Sequence, residues 1–245
     1  MKPSRVPLFE LPDALLHAQE LAVKRHAAYK AAKSGDVAAA DALAGQLVSS
    51  ATVAQLAEFL EGRLPDLVPI HALETEGVNE IPAALASALS GLLGLPVNRS
   101  FVQLNSVGHT GADGFRRLAN QALFSGDVIP GATYLVVDDF VGQGGTLANL
   151  IGHIRSQGGE VLCATALTGK PYSAKLAPDR QQIDAVRRKH GRELENWWVQ
   201  RFGFDFDRLT RSEARYLEKT ADADTIRDRI AAAGPEVGAQ GLGSG

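Results

Sequence analysis

YLVVDDFVGQGGTLAN, residues 134–149, carries the strongest structural signal in the chain. Its leading apolar residues predict a buried strand, and two carboxylates, Asp138 and Asp139, follow that strand directly. A loop of small residues comes next, and we expect a helix to open at Thr146. This order of strand, acids, glycine loop and helix predicts one unit of an α/β fold, with a ligand site at the end of the strand.

The glycine-rich loop predicts a phosphate site. Glycines let backbone N–H groups crowd around an anion, and the start of a helix adds partial positive charge. Asp138 and Asp139 would repel a phosphate, so we expect them to accept hydrogen bonds from sugar hydroxyls or to act through Mg²⁺. The acid pair and the loop together predict a bound sugar phosphate. The glycines of this loop are Gly142, Gly144 and Gly145.

Two other interpretations of this loop stay open. Gly142-Gln143-Gly144 would begin the GxGxxG motif of a dinucleotide site, but Leu147 stands where the third glycine belongs. In that motif the acidic residue also comes about twenty residues after the loop rather than before it. The second alternative is a loop that binds no ligand.

Short apolar runs alternate with helical patterns through the middle of the chain. Besides the strand before Asp138, the runs are residues 67–70, 101–104 and 161–167. Apolar strands separated by helices are typical of a parallel sheet with crossover helices, whose ligands bind at the carboxyl ends of the strands. We therefore predict an α/β fold with a parallel sheet.

Composition divides the chain into four zones. We predict a helical N-terminal extension over residues 1–63, an α/β core over 64–170, a helical C-terminal cap over 171–233 and a disordered tail over 234–245. The extension shows no metal or nucleophile constellation, so we expect it to cover the sheet rather than to carry chemistry. We expect the aromatic cluster at 197–206 to be the core of the cap; a base-stacking surface for nucleic acid is the alternative.

The overall composition excludes several classes of protein. With 28 acidic and 25 basic residues the net charge is −3, which argues against a dedicated non-specific nucleic-acid binder. The single cysteine, Cys163, forms no internal disulfide and no cysteine zinc cage, which favours a reducing compartment. The apolar runs are shorter than the ~18 residues of a membrane span, and the N-terminus lacks a signal-peptide core. We therefore expect a cytoplasmic protein with no membrane partner.

The stretch from Leu135 to Leu147 resembles the signature of the type I phosphoribosyltransferases. This resemblance implies that Asp138 and Asp139 hold the ribose hydroxyls of phosphoribosyl pyrophosphate, directly or with Mg²⁺. It also implies that the segment 141–146 binds the 5′-phosphate. One departure is Gln143, which stands where the family usually has a threonine. The resemblance covers residues 64–170 and leaves both flanks unexplained.

The resemblance also implies roles for three segments outside this signature. The loop with Glu74, Glu76 and Gly77 would contact the pyrophosphate, although its acids require Mg²⁺ as a mediator, and a solvated acidic turn is the alternative. The long segment 105–130 would supply a mobile catalytic loop with His109 and Arg117, which otherwise read as surface residues. Tyr172, after the last strand, would stack on the acceptor ring or simply cap the sheet.

The expected activity is transfer of ribose 5-phosphate from phosphoribosyl pyrophosphate to a nucleobase-like acceptor, with Mg²⁺ as cofactor and release of pyrophosphate. The alternative is a non-catalytic module of the same fold that senses phosphoribosyl pyrophosphate or a nucleotide. Nucleic acid as the acceptor is a further, less favoured alternative. The resemblance also suggests a homodimer.

Overall fold

The computed structural model describes residues 1–71, 73–74, 77–105 and 113–234. Glu76, His109 and all of the predicted tail except Gly234 lie outside the described residues. The strands are β1 Leu15–Leu16, β2 Asp66–Pro69, β3 Leu73–Glu74, β4 Gly77–Val78, β5 Val102–Gln103, β6 Phe124–Ser125, β7 Thr133–Val141 and β8 Glu160–Gly169. The helices are α1 Glu20–Arg25, α2 Tyr29–Lys33, α3 Val37–Leu47, α4 Ser50–Leu60, α5 Ile81–Leu93, α6 Gly114–Ala119, α7 Gly145–Ser156, α8 Pro171–Ala174, α9 Arg180–Phe202, α10 Arg211–Lys219 and α11 Ala223–Ala232, with a 3-10 turn at Phe206–Arg208.

A parallel sheet of four strands, in the order β1-β8-β7-β2, forms the centre of the molecule. The two long inner strands, β7 and β8, are buried along most of their length because helices cover both faces of the sheet. Helix α7 packs on one face, and α3 and α5 pack on the other. The predicted α/β fold class, with a parallel sheet and crossover helices, is confirmed.

The apolar run at 101–104 does not join this sheet, which corrects its prediction as a parallel strand. Only Val102–Gln103 is extended there, and it pairs antiparallel with Phe124–Ser125. The reason lies in burial: Phe101 packs edge-on against Tyr134 with ring centroids 5.8 Å apart, whereas Val102 and Leu104 are exposed. A strand inside a parallel sheet needs both faces buried, and this run offers one.

The N-terminal region takes part in the sheet. Leu15 and Leu16 form the edge strand β1, which pairs with Thr165 and Ala166 of β8. Further upstream, Arg5 reaches a buried position against Glu213 of α10. The four-zone division stays a prediction, and these two contacts cross its boundaries.

The aromatic cluster of the C-terminal cap is a core, as predicted. Trp198, Phe202, Phe204 and Phe206 are all buried and pack against one another, with the Trp198 and Phe202 rings 4.4 Å apart. Buried rings offer no face to a base, so these four residues cannot form a stacking surface for nucleic acid, whereas Trp197 is half-buried.

The described part of the chain contains no single helix long and apolar enough to cross a membrane. Helices α3 and α4 meet the criteria of length and composition only when taken together, and they are bent by 82° at their junction.

Candidate phosphosugar site

Two adjoining carboxylates lie near the carboxyl end of β7. The strand continues through both acids to Val141, and Asp138 lies opposite Ala166 of β8. Asp138 is 7% exposed, and its Oδ1 accepts a hydrogen bond of 2.8 Å from the backbone N–H of Asp139. Burial, followed by the negative charge of Asp139, raises the pKa of Asp138 well above its ordinary value. The pair therefore holds negative charge poorly unless a cation or a hydrogen-bond donor approaches it.

A lysine from the N-terminal region supplies part of that positive charge. Lys33, the last residue of α2, places Nζ 3.1 Å from Oδ2 of Asp139. Its charge also lowers the pKa of Asp138, although burial and Asp139 outweigh it. The expectation that residues 1–63 cover the sheet rather than carry chemistry stays a prediction, but Lys33 brings this region into contact with the acid pair. A lysine in the last turn of a helix is commonplace, because it complements the helix dipole, so its local sequence did not mark it.

Three more basic side chains gather around the same end of β7 and β8. Lys24 lies over the ring of Phe140, with Nζ 5.3 Å from the ring centroid. A hydrogen bond from Lys24, and then the charges of Lys170 and Arg117, lower the pKa of Glu20. Arg117 also contacts the glycine loop, where a β-carbon on Gly142 would overlap its Nη1 atom. This cationic rim around an acid pair is suited to a ligand with both hydroxyl and phosphate groups.

The glycine loop adopts the conformation that its sequence requires. Gly144 has φ +79°, in the left-handed region, and α7 begins at Gly145, one residue before the predicted start. On one side the loop is held by two hydroxyl groups of the C-terminal region. Ser173 Oγ donates to the carbonyl oxygen of Gly142, and Thr210 Oγ1 donates to that of Gln143, both at 2.6 Å. The sequence marks Thr210 as the start of a capping box, but it marks neither residue as a partner of the glycine loop.

The other predicted site residues that the structure describes are Glu74, Gly77 and Tyr172. Gly77 has φ +129° and packs against the backbone of Ser34, so the start of β4 lies next to the end of α2, which carries Lys33. The backbone of Glu74 pairs with that of Gly77. Tyr172 is 49% exposed, and the guanidinium of Arg215 lies 4.7 Å from its ring centroid. Tyr172 directly precedes Ser173, which places it at the rim of the loop.

The acid pair is also the candidate metal site. Within the described ranges, no group of three or more His, Cys, Asp or Glu side chains is arranged to hold a metal ion. Asp138 and Asp139 alone fit the usual binding of Mg²⁺, which takes one or two carboxylates and completes its shell with substrate oxygens and water. The raised pKa of Asp138 is consistent with a group that a cation would stabilise.

We predict that Asp138→Asn stabilises the unliganded protein. A carboxyl group whose pKa is raised on folding destabilises the native state as pH rises above the ordinary value near 3.9, because the native state must keep the proton or bury the charge. Asparagine keeps the hydrogen bond from Asp139 without that charge. At pH 7 we expect a higher Tm, by roughly 3 °C or more, the shift that ~1 kcal/mol gives in a chain of this size.

The gain in Tm is expected to shrink as pH falls toward 4, because the carboxyl group of the unfolded chain then begins to take up the proton that the native state already holds. Differential scanning calorimetry of both proteins between pH 4 and 8 measures it. An equal Tm at every pH would contradict the burial of an unfavourable charge at position 138.

Comparison with models of known protein families finds no match. Among curated proteins, the chain is similar to Protein TraN of Escherichia coli, with 40% identity over 229 residues, 94% of this chain and 51% of the relative. An uncharacterized protein of Haemophilus influenzae is 38% identical over 146 residues, 59% of this chain and 32% of the relative. The chain thus spans about half the length of the first relative and a third of the second.

Among solved structures, the chain is similar to Leishmania donovani UMP synthase, with a TM-score of 0.28, 22% identity, and coverage of 51% of this chain and 24% of that one. Adenine phosphoribosyltransferases of Thermoanaerobacter pseudethanolicus and Rhodothermus marinus both give a TM-score of 0.31, with 19% and 15% identity. These two likenesses cover 48% and 49% of this chain and 77% and 80% of those chains. With TM-scores this low, none of these structures assigns a family or a function to this chain.

Proposed function

We propose that this chain binds phosphoribosyl pyrophosphate at the carboxyl end of β7 and transfers its ribose 5-phosphate to a nucleobase-like acceptor. The observation that carries the proposal is the acid pair Asp138–Asp139 placed directly before a glycine loop that opens α7, with cations around it. Hydroxyl groups satisfy the carboxylates, and phosphoryl oxygens satisfy the loop and the cations, so a phosphorylated pentose matches both halves of the site.

The charges divide the ligand between two regions. The loop at 142–145 takes the 5′-phosphate, because it joins backbone donors to the positive end of α7. Lys33 contacts Asp139, Lys24 lies over Phe140, and Gly77 packs against Ser34. These residues lie on the side of the N-terminal helices, and we assign the pyrophosphate to them. Arg117, which contacts Gly142, follows the segment 106–112 and fits the role of a closing residue that shields the reacting carbon from water.

Asp138 and Asp139 are the proposed ligands of Mg²⁺, which would supply positive charge for the leaving pyrophosphate. The chain's own residues then position the ribose and stabilise the positive charge that develops at its C1 carbon, as in glycoside chemistry. Tyr172, whose ring lies against the guanidinium of Arg215, is the proposed contact for the acceptor ring.

We predict that binding of phosphoribosyl pyrophosphate requires Mg²⁺. Without the ion, three negative groups of the ligand face two carboxylates and only partial compensation from the lysines. Isothermal titration calorimetry with millimolar Mg²⁺ and then with excess chelator measures the difference in Kd, which is expected to be at least ~10-fold. Full affinity in chelator would contradict the role of the metal.

A non-catalytic sensor is the second candidate, and a specific contact favours it. Asp139 is already paired with Lys33, and Gln143 replaces the usual threonine of the signature. Incubation of the protein with phosphoribosyl pyrophosphate, Mg²⁺ and a panel of nucleobases separates the candidates. Release of pyrophosphate with one base supports transfer, whereas tight binding without consumption with any base supports the sensor.

A further inference from the structure

The carbonyl groups of the glycine loop are engaged one after another by donors outside it. The carbonyl of Val141 accepts the backbone N–H of Lys170 at 3.0 Å. The next two carbonyls accept the Ser173 and Thr210 hydroxyls at 2.6 Å each. The first two donors belong to the β8–α8 junction and the third caps α10. All of them therefore approach the loop from the C-terminal region.

This arrangement fixes the direction of the loop's N–H groups. In a trans peptide the C=O of one residue and the N–H of the next point in opposite directions. Holding the carbonyls of Gly142 and Gln143 toward the C-terminal region turns the N–H groups of Gln143 and Gly144 away from it. Within the described ranges, no backbone hydrogen bond uses those two N–H groups. They are donors aimed at one side of the loop, next to the start of α7.

Both hydroxyl groups are themselves held in place. Ser173 Oγ lies 2.9 Å from Ser212 Oγ, and both serines are buried. Thr210 Oγ1 also accepts the backbone N–H of Glu213 at 3.1 Å, as half of a capping box. Each hydroxyl thus has a defined rotamer, and its proton is directed at the loop carbonyl.

We infer that Ser173 and Thr210 are positioning residues that hold the loop in its phosphate-binding conformation. They act through the backbone and touch no ligand. The inference rests on the proposed function for the identity of the ligand, and it extends the site beyond the signature region into the C-terminal cap. Loss of the hydroxyls would free the two peptide units to rotate, so the loop would present its donors less often.

The test compares Ser173→Ala, Thr210→Val and the double variant with the wild type. Ligands are phosphoribosyl pyrophosphate, ribose 5-phosphate and inorganic phosphate, with Mg²⁺ present. We expect Kd for ribose 5-phosphate to rise about 10-fold for each lost hydrogen bond. Amide hydrogen exchange of residues 142–146 is expected to become faster in the same variants.

Two further variants separate positioning from simple destabilisation. Thr210→Ser retains the hydroxyl and is expected to restore affinity to within about twofold. Asp222→Ala removes the N-cap of α11, another cap of the C-terminal region, and is expected to lower Tm without changing Kd. Equal loss of affinity in Asp222→Ala, or no rescue by serine, would overturn the inference.

The outcomes for the inference and for the proposed function are distinct. If the wild type binds phosphoribosyl pyrophosphate and the variants bind it equally well, the inference fails while the proposed function stands. If the wild type binds inorganic phosphate but shows no preference for the sugar ligand, and the variants lose phosphate, the proposed function fails while the inference stands. If the wild type binds no phosphate compound, both fail.

Discussion

Replacing Asp138 and Asp139 together by asparagine is expected to abolish the binding of phosphoribosyl pyrophosphate, with at least a ~100-fold rise in Kd. Hydrogen bonds to charged groups contribute about 1.5–3 kcal/mol each, so the loss of two carboxylates removes roughly two factors of ten or more. The substitutions also remove the proposed ligands of Mg²⁺. Titration calorimetry with Mg²⁺ present measures the loss.

The double variant is expected to remain folded. Asparagine matches aspartate in shape, its Oδ1 can still accept the backbone N–H at position 139, and the buried charge at position 138 disappears. Asp127→Asn, at an exposed position between β6 and β7, is the matched control and is expected to leave Kd unchanged. An unchanged Kd in the double variant, with Tm at or above the wild-type value, would remove the sugar-binding assignment.

The central unit of the fold could be predicted because its pattern is local. Residues 134–149 combine a strand buried on both faces, an acid pair and a glycine turn, and each part depends only on near neighbours in the chain. The capping box at Thr210 and Glu213 could be predicted for the same reason. Hydrophobic period and backbone conformation are encoded within a few residues, so a single sequence shows them.

The partners of the site could not be predicted, because they come from distant parts of the chain. Lys33 contacts Asp139 from an N-terminal helix, and Ser173 and Thr210 contact the loop from the C-terminal region. The sequence marks Thr210 as a helix cap, but it marks none of the three as a partner of the site, since lysines and hydroxyl residues at helix ends are ordinary. The prediction for residues 101–104 was wrong for a different reason. The composition of this run suits a strand, but the exposure of one of its faces depends on tertiary packing that the sequence does not show.

Arg5 is another residue whose partners lie far away in the sequence, and its contacts are expected to contribute more to the free energy of unfolding. Its side chain is fully buried, and its guanidinium pairs with both oxygens of Glu213, at 2.5 and 2.8 Å. Nε donates to Asn149 of α7 at 2.5 Å, and Nη2 donates to Gln121 at 2.9 Å. The ring of Phe204 lies 4.6 Å from the guanidinium carbon. One residue near the N-terminus thus joins α7, α10 and the segment after α6.

We predict that Arg5→Met destabilises the protein by about 3–5 kcal/mol. Removing one partner of a buried ion pair leaves an uncompensated charge, here the Glu213 carboxylate, and it also leaves Asn149 Oδ1 without the donor Nε of Arg5. In a chain of this size the expected fall in Tm is roughly 10 °C. Chemical denaturation followed by tryptophan fluorescence reports it directly, because Trp198 lies in the core of the C-terminal cap.

A double-mutant cycle separates the pair from the loss of packing. Arg5→Met with Glu213→Leu removes both charges, so it is expected to be more stable than Arg5→Met alone, because no unpaired carboxylate remains in the interior. Lys175→Met breaks a solvent-exposed pair with Asp179 and is the matched control, expected to change stability by less than ~1 kcal/mol. A cost for Arg5→Met no larger than that of Lys175→Met would show that the buried pair does not hold the two ends of the chain together. If Arg5→Met costs more stability than Lys175→Met, the N-terminal region is one of the determinants of the fold. The reason is that Arg5 holds α10, the same helix whose N-cap residue, Thr210, holds the glycine loop.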